Sequence, residues 1–140
     1  MTAVLMLALL APPPESLDKV RAEPKPERRS ELAIEYAGAA MARARKTVSE
    51  SGSRAGLEAA LKETVEACQL ALDALRETGK RPNKLGRQYK RAEMRTRQYV
   101  KELTDVALAL SLDDRPMAES ARDRVQLLHE EFLVGVMSGK

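Results

Sequence analysis

His129 and Cys68 are the only imidazole and the only thiol in this chain of 140 residues, and their neighbours decide what either could do. A di-iron carboxylate site in a helical bundle takes a Glu-x-x-His pair from each of two helices. Gln126 stands where that glutamate would be needed and there is no second histidine, so His129 reads as a helix-flank side chain between Leu128 and Glu130. One cysteine excludes an intramolecular disulfide and every multi-cysteine metal or redox motif. Cys68 falls three residues after Val65 and four before Leu72, which predicts a small buried hydrophobe rather than a reactive thiol. The acid pairs Glu63 with Glu66 and Glu130 with Glu131 read as solvated charges. No Ser-His-Asp or Cys-His arrangement can be assembled and no glycine-rich phosphate loop is present. The expectation is a protein without catalytic residues, bound metal or cofactor, and therefore not an enzyme.

The remaining chemistry is cationic. The net charge is only +3, but the stretch 80–101 holds nine Lys and Arg residues against the single acid Glu93. Within it Lys80, Lys84, Arg87, Arg91 and Arg95 step by four, three, four and four, which lines them along one ridge of a helix. A row of that kind is what a phosphate-tracking surface needs, so these five residues form the candidate anion-binding ridge. The competing expectation is that the ridge is a solvated face, balanced by Glu58, Glu63, Glu66, Asp73 and Glu77 of the preceding helix. Tyr89 and Tyr99 have the chemistry of base-stacking platforms, but both fall on the apolar stripe described next and read as core residues with their hydroxyls at the edge.

Four apolar stripes must position these groups. Leu85, Tyr89, Ala92, Thr96, Tyr99, Leu103, Val106 and Leu110 alternate steps of four and three, which keeps one stripe of a helix facing its neighbours over roughly seven turns. Shorter ladders run through Ile34, Ala37, Met41, Ala44 and Val48, through Leu61, Val65, Cys68, Leu72 and Leu75, and through Ala118, Ala121, Val125, Leu128 and Phe132. With strong helix formers dominant and strand-favouring residues sparse, the fold class is all-α. The prolines and most glycines fall between the ladders. Helices are predicted over 27–49, 54–78, 85 or 87 to 110, and from the turn 111–114 to a frayed end marked by Gly135 and Gly139, with Ser53 as a cap and Gly79 as a stop. Short links between rods of this length favour an antiparallel up-down-up-down four-helix bundle, preceded by a short N-terminal helix or extended leader. Stacked helical hairpins of the tetratricopeptide type are the alternative, although that repeat uses shorter helices and a set of large and small residues not found here.

The domain reading is an apolar leader and Pro-rich linker over 1–26, then one bundle over 27–138. The apolar run Ala3–Ala11, followed by Pro12–Pro14, is too short to span a bilayer. It has the length of the apolar core of a secretory signal, without a preceding basic residue and with Leu9 unfavourably placed for cleavage after Ala11. It favours export to the periplasm or cell envelope, with a cytoplasmic location as the alternative. Phe132, Leu133, Val134, Val136 and Met137 leave the last helix apolar nearly all round. That predicts a cover: the leader, a second copy, a partner, or the cleft between the first two helices. Together these features point to a helical-bundle module acting by protein–protein interaction or scaffolding, with a protein partner or a homo-oligomer. Polyanion binding to nucleic acid or anionic lipid through the basic helix 80–101 is the alternative.

Overall fold

Capping and turn chemistry set the elements where the ladders place them. In the computed structural model, which describes residues 16–138, α1 is Leu17–Arg21, α2 Pro26–Ser49, α3 Arg54–Glu77, α4 Gly86–Ala109 and α5 Arg115–Ser138, with a 3₁₀ turn at Pro82–Lys84 before α4. Ser53 Oγ accepts from Gly56 N at 3.0 Å to start α3, and Pro26 opens α2, where its missing N–H costs nothing. Gly79, at φ 69°, turns the chain out of α3 in the left-handed conformation that glycine adopts without strain.

The protein is an all-α bundle whose four long helices run up, down, up and down. Within the first hairpin, Ser30 Oγ donates to the Ala71 carbonyl and Arg29 pairs with Glu77, while Arg43 further along α2 meets Glu63 earlier in α3. The partner number falls as the residue number rises, as antiparallel packing requires. In the second hairpin Tyr89 meets Phe132 edge to face, with ring centroids 6.2 Å apart, and Thr96 meets His129.

The arrangement of the hairpins was not legible in advance. The link from α3 to α4 crosses the bundle diagonally, so α2 packs along α4 and α3 along α5, whereas α3 and α4 barely touch. Ion pairs Arg87–Glu31, Arg91–Glu35 and Arg45–Glu102 join α2 to α4 across sequence separations of 56, 56 and 57 residues. A nearly constant separation is the mark of parallel helices in fixed register. The molecule therefore consists of two antiparallel hairpins laid side by side in parallel, which gives the bundle the layered character of stacked hairpins.

All four ladders face one shared core. Every α4 ladder position from Leu85 to Val106 is buried, as are Leu61, Leu72, Val125, Leu128 and Phe132. The short N-terminal helix expected before the bundle is α1, and its Leu17 and Val20 join the same core. The apolar run Ala3–Ala11 lies outside the described residues. Gly135 marks no frayed end: it is buried inside α5, where a Cβ would lie 2.2 Å from the Tyr89 ring. Among the described residues no helix is long and apolar enough to cross a membrane.

Candidate functional site

The five ridge cations come from the α3–α4 link and the outer side of α4. Lys80, in the link, brings Nζ to 3.6 Å from Glu27. Arg87 pairs with Glu31 at 3.1 Å and Arg91 with Glu35 at 2.9 Å. Lys84, in the 3₁₀ turn, is exposed and has no ion-pair partner among the described residues. Arg95 is also exposed and lies beside the Tyr99 hydroxyl. Three of the five cations are thus engaged by a matching row of acids on α2.

These partners differ from the acids expected on the preceding helix. Because α3 lies diagonally across the core, Glu63 serves Arg43 and Tyr36, Glu77 serves Arg29, Asp73 accepts from Gln69, and Glu66 lies 4.0 Å from both Arg21 and Lys62. Part of this pairing was visible as a pattern: Glu31 and Glu35 are spaced by four, the same period as their partners Arg87 and Arg91. Each exposed pair contributes about 0 to 1 kcal/mol, so the seam contributes mainly by fixing the parallel register of α2 on α4. Arg45–Glu102 at 3.2 Å closes its far end with the charges reversed.

The two tyrosines of the α4 stripe are structural. Tyr99 Oη donates to the Ile34 carbonyl on α2 at 2.8 Å, and Gly38 gives it room, since a Cβ there would meet Oη at 2.9 Å. The hydroxyl is therefore anchored inside the α2–α4 interface rather than at the edge. Burial drives the Tyr99 pKa well above its ordinary value, with Arg95 pulling the other way. Tyr89 lays its ring on the backbone of α5 at Gly135. Neither ring presents a face on which a nucleobase could stack.

The polar groups in the α4–α5 seam are consumed by local bonds. Glu93 is 1% exposed, with both carboxylate oxygens accepting from Arg97, at 2.7 and 2.6 Å, and Lys90 at 3.7 Å. Thr96 Oγ1 donates to the Ala92 carbonyl at 2.7 Å. His129 Nδ1 lies 3.1 Å from both Thr96 Oγ1 and the Glu93 carbonyl. A carbonyl oxygen only accepts, so Nδ1 carries the hydrogen and Nε2 is the free nitrogen. Among the described residues no hydroxyl or thiol is bonded to that nitrogen, and the bonds at Nδ1 orient the imidazole. Cys68 is fully buried, and burial pushes its thiol pKa up to about 12, which keeps it protonated and unreactive.

Two grooves flank the core. One of about 610 Å³ runs between α2 and α4, past Ala42, Arg45, Val48, Asp105 and Val106. The other, about 510 Å³, lies between α3 and α5 at Leu61, Val65, Met117 and Ala121. Both open broadly to solvent, unlike the clefts that bury most of a small ligand. Among the described residues no group of three His, Cys, Asp or Glu side chains is placed to hold a metal ion. Comparison with protein-family models, with curated proteins and with solved structures finds no match to this chain in any of the three.

Proposed function

We propose that this chain is a non-enzymatic helical-bundle module that works by protein–protein interaction or scaffolding. The observation that supports this reading over its rival is the closure of the ridge: Glu27, Glu31 and Glu35 occupy the cations that a phosphate backbone would need. A polyanion would have to displace those carboxylates before it gained any contact. The rival reading, nucleic-acid or anionic-lipid binding through 80–101, keeps its support from Lys84 and Arg95, which no acid among the described residues engages. For location, the apolar leader argues for export to the cell envelope, with the cytoplasm as the alternative.

The test is a titration of the full chain with heterogeneous nucleic acid and with anionic vesicles at about 0.15 M salt. The expected result is no micromolar binding. Neutralising Lys84, Arg87, Arg91 and Arg95 together should then shift stability only modestly, by about 0 to 1 kcal/mol per broken pair. Micromolar binding that the four changes abolish would overturn the scaffolding reading in favour of its rival.

A further inference from the structure

The two ends of the bundle are unlike in charge and alike in exposing apolar side chains. At one end the hairpin turns 50–53 and 110–114 lie side by side, bridged by Arg54–Asp114 at 3.3 Å. These turns carry Glu50, Asp113 and Asp114, flanked by Arg54, which pairs with Asp114, and by Arg115. Leu108 and Leu112 are 67% and 77% exposed there. At the other end the links 22–25 and 78–85 carry Lys25, Lys80, Arg81 and Lys84 against the one acid Glu23. The 3₁₀ turn packs on α5, where Pro82 and Val134 line one groove; Val134 and, one turn on, Met137 are 60% and 63% exposed. The cover expected over the end of α5 is therefore half supplied: Phe132 is enclosed by the chain itself, while Val134 and Met137 face outward.

We infer that copies of this protein associate head to tail, the acidic end of one docking on the basic end of the next. This rests on the interaction-module reading and names the partner as a second copy. Both halves of the interface are on the same chain: an exposed apolar pair at an end with a small excess of acids, and an exposed apolar pair at an end where Lys25, Arg81 and Lys84 outnumber Glu23. Like ends repel, so the contact is heterologous, and with the two faces at opposite ends of a rod it propagates into linear chains rather than closing a dimer. Four packed helices with axes about 10 Å apart present an end of about 20 by 20 Å, so the contact buries about 800 Å² in total. That is below the size of a stable interface, so the association is weak, reversible and salt-dependent.

The experiment is sedimentation of the full chain over a range of concentrations, with two exposed-surface variants as probes. One is Arg81→Glu with Lys84→Glu, the other Glu50→Lys with Asp113→Lys, each checked for unchanged helicity by circular dichroism. The unaltered chain should form concentration-dependent oligomers that weaken at least about tenfold between about 0.05 and 0.5 M salt. Each variant alone should lose its association. The reversal also predicts that an equimolar mixture of the two recovers association, through the reversed ends alone or the intact ends alone. A chain that stays monomeric, or a dimer indifferent to both reversals, overturns the inference. Oligomers that vanish when residues 1–15 are removed and survive both reversals overturn it in favour of the leader. Sedimentation with anionic vesicles but not with itself overturns it in favour of a lipid surface. A monomeric chain leaves the interaction-module reading standing, because the polyanion titration tests that separately.

Discussion

Replacing Leu103 with alanine is expected to destabilise the protein by about 2–5 kcal/mol in denaturant unfolding, the usual range for a cavity opened in a packed core. Leu103 is fully buried in the middle of the α4 stripe, where the two hairpins share one core. Its neighbours on the stripe are buried as well, so little can move in to fill the space. The exposed Leu108, five residues on, supplies the control, since its truncation removes almost no packing. A loss below about 0.5 kcal/mol at Leu103 would mean that α4 does not present this stripe to the core.

Gly135→Ala is expected to destabilise the protein by about 1–3 kcal/mol, the usual cost of forcing an extra carbon into a packed site. The sign is informative, because alanine is the better helix former by about 1 kcal/mol in a helix interior. A Cβ at 135 would lie 2.2, 2.4 and 2.9 Å from three atoms of the Tyr89 ring. The ring rests on the α5 backbone at Gly135 and edge-on to Phe132 of the same helix, and its displacement disturbs that pair. Gly38→Ala meets only the tip of Tyr99, at 2.9 Å, so it should cost less. A stabilised Gly135→Ala protein would show that the ring does not rest on the α5 backbone.

Periodicity carried most of the fold. Helix limits read from prolines, glycines and the Ser53 cap agree with the observed spans to within a residue or so, because breakers and caps act locally. The α4 ladder also fell where its spacing put it, with only Leu110 half-buried at its end. What periodicity does not encode is which stripe meets which. A link of eight residues from 78 to 85 reaches the adjacent or the diagonal corner of a bundle equally well, and the acids expected on α3 turned out to stand on α2. The equal spacing of Glu31 and Glu35 with Arg87 and Arg91 held part of that information, but only for a reader who compared non-consecutive helices.

One further misreading has its physical origin in local context. Gly135 sits near the end of the chain in an apolar run, as a helix-terminating glycine would, yet its lack of a side chain serves a ring from another helix. Leu17 and Val20 sit between two proline clusters, where a short N-terminal helix is one of the two expectations, and a five-residue helix capped by Ser16 packs them onto the first hairpin. The ridge itself was legible in sequence as a row of cations. Its closure was not, because closure depends on the diagonal crossing.

The central claim is that α4 lies along α2 in parallel register, with Lys80, Arg87 and Arg91 of the basic ridge paired to the acids of α2. The most direct measurement is the nuclear Overhauser contact between the Tyr99 ring and the α-protons of Gly38 in solution. The structure predicts a strong contact, because the Tyr99 hydroxyl reaches past Gly38 to the Ile34 carbonyl. A Tyr99 ring that shows no contact with Gly38 would contradict the parallel seam and reopen the ridge as a free cationic surface.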